Sequence, residues 1–504
     1  MDYPAPPNLV SGPAMRPRLT LAGILLYDQA DRVSGWMLTA MLVLSPWAFG
    51  TTQTWSIWTM NGCGYALGIL FGIKQVIRHR LGHRPERWGQ TDKDLPHPFR
   101  FSPTLLLGIT TLALLAYCVI SVLNARADYD PARLTLKYRD YLKWLPHTYD
   151  RAATWGVFFH YLAWACSFWA LRDWLLGMTP AESRIAKSDQ SSSGSLPAVP
   201  ARLALLLWIL VVNGTVLGLE GIIQRLEGSG KLLFYLKPRI NLDANTQFGP
   251  FAYRSNAAQY LNLIWPVALG FWWWLQRTGA KHRRRWPHHS LLVCAAIMAA
   301  CPIISSSRAG ALTSLALLVV AVGILISGKR TDGLAKLAVL GMFSLALAGG
   351  AWLGWQSLNP RLAEFSGGYR ARELMYQTAR IIADENPVFG TGPGTFENIF
   401  QLYRQSLDEY WPAQLHNDWL ELLLTFGWVG FVMIFLALGL VLAHGFRTAG
   451  IPASQRFVWL IWLALAGCLS QARWDFPFRV YSVVFLFLAL CAVLTTLAKA
   501  SRGR

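Results

Sequence analysis

Residues 290–326 read SLLVCAAIMAACPIISSSRAGALTSLALLVVAVGILI, close to forty residues in which Arg308 is the one charge. An uncharged apolar run of about 18 residues or more is long enough to cross the hydrocarbon core of a bilayer. The stretch therefore reads as two membrane helices joined at a serine-rich turn. The pattern repeats along the 504 residues, of which 54% are hydrophobic and 14% charged, with a mean hydropathy of +0.32. Apolar runs fall at about 33–51, 55–77, 102–123, 152–172, 201–222, 256–276, 290–307, 309–327, 335–356, 416–444, 456–474 and 480–498. Trp, Tyr and Phe gather at their ends, where amphipathic rings favour the headgroup level. The expected fold is an all-α polytopic membrane protein of about twelve spans.

The net charge of +19 does not point to nucleic acid, because no basic stretch interleaved with aromatics sits on a soluble fold. The basic segments RHRLGHRPER (78–87), KHRRR (281–285), GKR (328–330) and KASRGR (499–504) all fall on one side of the expected topology. Positive charge marks the cytoplasmic side, so both termini are expected there. The Ser-rich stretch 186–200 reads as a flexible linker on that side. A large minority of the 46 Lys and Arg lies on the opposite side, in 124–151, 223–254 and a polar insert at 357–415. Cations placed against the usual bias suggest an anionic ligand at the membrane surface. The seven cysteines lie inside apolar runs without CxxC spacing and read as packing residues.

Three places could carry chemistry. In TQFGPFAYRSNAAQYLNLIWPVALG (246–270), Arg254 stands at a membrane boundary and Asn256 reads as a helix cap. In the opening stretch Arg308 is costly to leave in lipid without a partner, which makes it a functional candidate. The insert carries an expected amphipathic helix over Ala371 to Asp384, ended by Asn386-Pro387, with Arg372 and Arg380 on one broad face. Gly390, Gly392 and Gly394 follow without a βαβ unit, which rules out a dinucleotide loop and leaves a tight turn beside a ligand or a re-entry toward the membrane. His416 then opens the tenth run, with Asn417 as expected cap and Asp418 and Glu421 at the positive end of the helix. Neutral imidazole near a helix N-terminus suits a general base. Asp128 and Asp130 have DxD spacing, which fits a metal-held diphosphate but more often marks an ordinary turn.

In order and spacing, GPFAYRSNAAQYLNLIWP, SSSRAG and NPVFGTGPGTF…HNDWLELLLTFGWVG resemble the O-antigen ligase and polymerase superfamily over roughly residues 205–445. The resemblance implies a GT-C-like enzyme of the bacterial inner membrane with its active site facing the periplasm. It further implies transfer of a glycan from undecaprenyl diphosphate to a hydroxyl, with inversion and without metal or other cofactor. The acceptor would be lipid A-core for a ligase or a growing glycan for a polymerase. His416 would be the base, and Arg254, Arg308 and Arg372 would grip the donor diphosphate. Asn256, Arg380, Gly392, Gly394 and Asn417 would support them. The organisation this implies is a cytoplasmic segment 1–32, a transferase domain 33–499 with its ligase-like core at 205–445 and large loop at 357–415, and a tail 500–504. A lipid-linked glycan transporter is the alternative from another class; the charged candidates at span ends rather than midplanes argue against it.

Overall fold

The computed structural model describes residues 20–89, 102–188, 199–278, 287–327, 333–363, 365–403, 412–446 and 454–500. The basic segments at 281–285 and 328–330, most of the Ser-rich stretch, most of the N-terminal segment and the end of the tail lie outside them.

Each of the twelve apolar runs forms a helix. In chain order these are α1 (Leu21–Trp47), α2 (Thr54–Arg80), α3 (Pro103–Leu123), α4 (Arg151–Leu176), α6 (Ala201–Glu227), α7 (Arg254–Thr278), α8 (Ser290–Ile304), α9 (Arg308–Ile326), α10 (Gly333–Ala363), α13 (Asp418–Phe446), α14 (Gln455–Gln471) and α15 (Tyr481–Ala500). The more polar α5 (Pro180–Ser188), α11 (Phe365–Glu385) and α12 (Phe396–Phe400) complete fifteen α-helices among the described residues. The protein is thus all-α, and by length and composition α3, α6, α9, α10 and α13 are able to cross a membrane. Two ends differ from expectation: α1 begins at Leu21, ahead of its apolar run, and α10 carries on through Pro360 to Ala363, so the insert leaves the bundle later.

Charge within the remaining helices is neutralised by pairing. Lys74 of α2 is fully buried and lies 2.7 Å from Asp173 of α4 and 2.9 Å from Asp31 of α1. Arg78 and Arg87 also hold Asp173, and Arg202 of α6 reaches Asp31 at 2.6 Å. One ionic cluster thereby ties four helices at the end of the bundle away from the insert. Each partner is indispensable to the others, because a buried charge stripped of its counterion keeps its desolvation cost.

At the other end a cap covers the bundle. It is built from 124–150 and the insert, around a small core of Tyr149, Tyr376, Ala379, Ile382, Phe396 and Leu424. The 124–150 segment folds as an antiparallel hairpin of β1 (Ala127–Asp130) and β2 (Thr135–Tyr138), which the helical periodicity did not foretell. Asp128 is held by Arg139, and Asp130 accepts the backbone N–H of Ala132 at 3.0 Å, so these acids close the hairpin. His147 is buried beside Tyr141 and Phe389, with its Nδ1 3.3 Å from the Leu145 carbonyl. Burial lowers its pKa below the ordinary 6.5; the Leu145 carbonyl offsets part of this, and the Arg126 cation adds to it.

Two outcomes follow from these contacts. Asp173→Ala should cost about 3–5 kcal/mol by leaving Arg78 and Arg87 without their carboxylate, read as a lowered melting temperature of the purified protein. His147 is neutral in the folded cap and takes up a proton more readily unfolded. The cap is therefore at full stability above about pH 6.5 and weakens as pH falls below it. Limited proteolysis of the cap should speed up in acid, and His147→Gln should remove that acceleration.

Candidate active site

The cap is joined to the bundle at a break in α13. Gly427 has φ +59° and ψ −172°, which no helix accommodates. The break leaves the carbonyls of Leu424 and Thr425 to accept from Thr391 and Gly392, each at 2.9 Å, while Trp428 and Val429 donate to Pro387 and Val388. The loop thus supplies the backbone partners that apolar surroundings withhold. A Cβ on Gly390 would lie 2.5 Å from the Thr425 carbonyl carbon. At Gly390 the glycine run is a joint between backbones. Gly392 likewise packs against Thr148 and Gly394 against Val157.

This joint sets the start of α13. Asn417 caps it as expected, its Oδ1 accepting the Leu420 N–H at 3.2 Å. His416 stands outside the helix, ahead of the cap, with φ +56°. Non-glycine residues rarely occupy that region, and such backbone strain clusters at functional sites. The Tyr376 hydroxyl of α11 donates to the His416 carbonyl at 2.9 Å, and the imidazole lies edge-on to Phe476 with centroids 4.8 Å apart. Its Nδ1 faces Oδ1 of the buried Asp475 at 3.4 Å, aligned too poorly for a hydrogen bond.

A series of contacts links three arginines to this pair. Arg372 of α11 donates to the Trp474 carbonyl at 2.8 Å and also bonds the Tyr253 hydroxyl. Tyr253 stacks on Phe476, and its pKa is pushed up to about 12, first by burial and then by Asp475, with hydrogen bonds from Ser255 and Arg372 opposing. It is a neutral phenol wherever the protein works. The next residue, Arg254, opens α7 and donates to the Asn245 carbonyl. Ser255 meets Ser307 at 3.0 Å, which docks the α8–α9 turn; there Ser307 caps α9 and Arg308 is its first residue, donating to the Arg361 carbonyl at 3.3 Å.

Three of the expected residues do not behave as expected, and three contributors went unforeseen. Asn256 is not a cap, because α7 already starts at Arg254; it lies buried in the first turn, its Oδ1 without a hydrogen-bond partner among the described residues. Arg380 pairs with Glu373 on its own helix at 3.4 Å and stays exposed. His416 precedes the helix rather than opening it. The additions are Asp475, Tyr253 and Arg225 of α6, whose guanidinium binds the carbonyls of Ala244, Gln247 and Ser305. The signal for Asp475 was a lone acid among aromatic and basic residues in RWDFPFR (473–479), beyond the span of the resemblance.

Residues 293–435 match the family model described as O-antigen ligase. Over this segment the chain is similar to the O-antigen ligase family. The matched part runs from α8 into α13 and contains Arg308, Arg372 and His416; Arg254 and Asp475 lie outside it. It covers well under half of the chain, and no curated protein matches the chain. The family implies an enzyme of O-antigen ligation or polymerisation that acts in a membrane on lipid-linked glycan.

Gly390→Ala tests the joint. No side chain is available to yield to the added methyl, and φ is +67°. The substitution should cost about 1–3 kcal/mol or more, and hydrogen exchange should rise through 386–394 and the first turn of α13 together.

Proposed function

We propose that this O-antigen ligase-family protein transfers a glycan from undecaprenyl diphosphate to a hydroxyl of lipid A-core, with its site at the periplasmic surface of the inner membrane. The observation that supports the reading is His416 facing Asp475 at 3.4 Å with Arg372 bound to the neighbouring Trp474 carbonyl, while Arg254 follows Tyr253 in sequence and Arg308 is linked through the Ser255–Ser307 contact. Hydrogen bonds to backbone carbonyls orient the guanidinium groups of Arg254 and Arg372 and leave their charge available. That suits a diphosphate, whose oxygens take bidentate guanidinium contacts.

In this mechanism the acceptor oxygen attacks the anomeric carbon from the face opposite the diphosphate. The new C–O bond forms as the bond to the diphosphate oxygen breaks, and the configuration inverts. His416 takes the hydroxyl proton on Nε2, while Asp475 faces Nδ1, favours the tautomer that leaves Nε2 free and stabilises the cation that forms. The departing polyprenyl diphosphate carries away the negative charge, which the arginines stabilise as it develops. The phenol of Tyr253 keeps Arg372 aimed. No step calls for a metal, since the guanidinium groups do the work of a cation on the leaving group.

Polymerisation would use the same donor and the same base with a growing glycan as acceptor. A strain lacking the gene distinguishes them: bare lipid A-core with accumulating long lipid-linked chains supports ligation, and caps of a single repeat would overturn it.

With purified protein and lipid-linked glycan, His416→Ala should lower turnover about a hundred- to ten-thousand-fold and leave donor binding intact. Arg372→Ala should weaken donor binding roughly tenfold to a hundredfold, the worth of a hydrogen bond to a charged group. Transfer should survive EDTA. Unchanged turnover in the His416 variant would remove it as base, and loss of activity on chelation would bring Asp128 and Asp130 forward as metal ligands.

A further inference from the structure

Helices α3, α4, α15 and α13 pack on one another in a ring, and the ring is not filled. It encloses a cavity of about 430 Å³, within the ordinary range for a bound organic ligand. Its walls are almost wholly apolar, with Leu114 of α3, Trp164 and Phe168 of α4, Leu438 of α13 and Val484 of α15 among them. Along α13 the lining runs from Asp418 to Val441, nearly the length of the helix, so the space is a long slot. Polar groups gather at the end by the start of α13, where Asp418, Glu421 and Arg479 line it. Arg479 pairs with Glu421, and the other Glu421 oxygen accepts the N–H of Leu415 at 3.1 Å, directly before His416. The mouth and His416 therefore lie on two sides of the same short segment, 415–421.

We propose that this slot seats one hydrocarbon chain of the acceptor lipid, with the acceptor's glycan lying across the mouth toward His416. The inference rests on the transferase reading and adds an acceptor subsite to it. Three observations favour the acceptor over the donor. The arginines assigned to the donor diphosphate come from α7, α9 and α11, none of which forms a wall of the slot. The one guanidinium at the mouth, Arg479, is already paired with Glu421, which leaves no positive charge in excess for a diphosphate but suits the hydroxyls of a sugar. Trp419 and Phe478 also line it, flat rings of the kind on which sugar faces pack. Long apolar walls with one polar end match a lipid tail and would leave a free sugar without partners.

The test narrows the slot with Ala165→Trp and compares lipid A-core with the same acceptor stripped of its acyl chains. The Michaelis constant for the acylated acceptor should rise roughly tenfold or more, the cost of expelling about two methylenes. Turnover of the stripped acceptor and the constant for the donor should not move. A rise in the donor constant instead, or no change in either, would overturn the proposal. Independently of turnover, a photoreactive residue at position 438 should capture the acylated acceptor and not the polyprenyl donor; capture of the donor alone, or of neither, would overturn it. This second arm also serves if the Trp variant does not fold. Capture of the acylated acceptor by protein that transfers nothing would sink the transferase reading while supporting the tail site. Normal transfer without capture would do the reverse.

Discussion

Asp418 fixes where the candidate base stands. Its backbone N–H donates to the Ala472 carbonyl at 2.9 Å and its carboxylate accepts the N–H of Phe478 at 2.8 Å. The start of α13 is thereby laced to the 472–479 loop, with Trp419 adding a bond to the Leu469 carbonyl. Because one segment carries His416 and the other Asp475, their approach is a consequence of this lacing rather than of any direct bond between them. The break at Gly427 acts from the other side: the loop 387–392 occupies the freed backbone groups and holds the cap over the same turn. The site is positioned by main-chain hydrogen bonds in apolar surroundings, where an unmade bond is costly and the geometry correspondingly stiff.

The two ends of the bundle use charge in opposite ways. Around Lys74 every cation has a carboxylate within 3 Å, and the cluster holds helices together. At the other end the hydrogen bonds of Arg254 and Arg372 run to backbone carbonyls, so orientation is fixed while positive charge remains for a ligand. Electrostatic preorganisation of this kind is what stabilises charge developing on a leaving group.

The sequence made the helices and several site residues legible because their signals are local. Apolar runs long enough for a bilayer, the capping side chain of Asn417 and the Arg308 turn each depend on a few neighbouring residues. The amphipathic pattern likewise located α11, although the helix begins six residues earlier than the pattern suggested. Asp475 was not legible, since its role depends on the packing of a loop almost sixty residues away from His416 along the chain. The glycines were legible only in part for a related reason: density of glycine signals close approach but does not say what approaches, and at Gly390 it is another backbone. For Arg380 the angle on the helix was right, yet Glu373 on the same helix captured it first.

A double-mutant cycle on His416→Ala and Asp475→Asn, read in single-turnover transfer of the lipid-linked glycan, tests the central claim most directly. If Asp475 works through His416, Asp475→Asn should slow transfer strongly in the intact protein and cost almost nothing further once His416 is gone. Equal losses in both backgrounds would contradict the account, because the two groups would then act independently and the pairing at 3.4 Å would have no part in the chemistry.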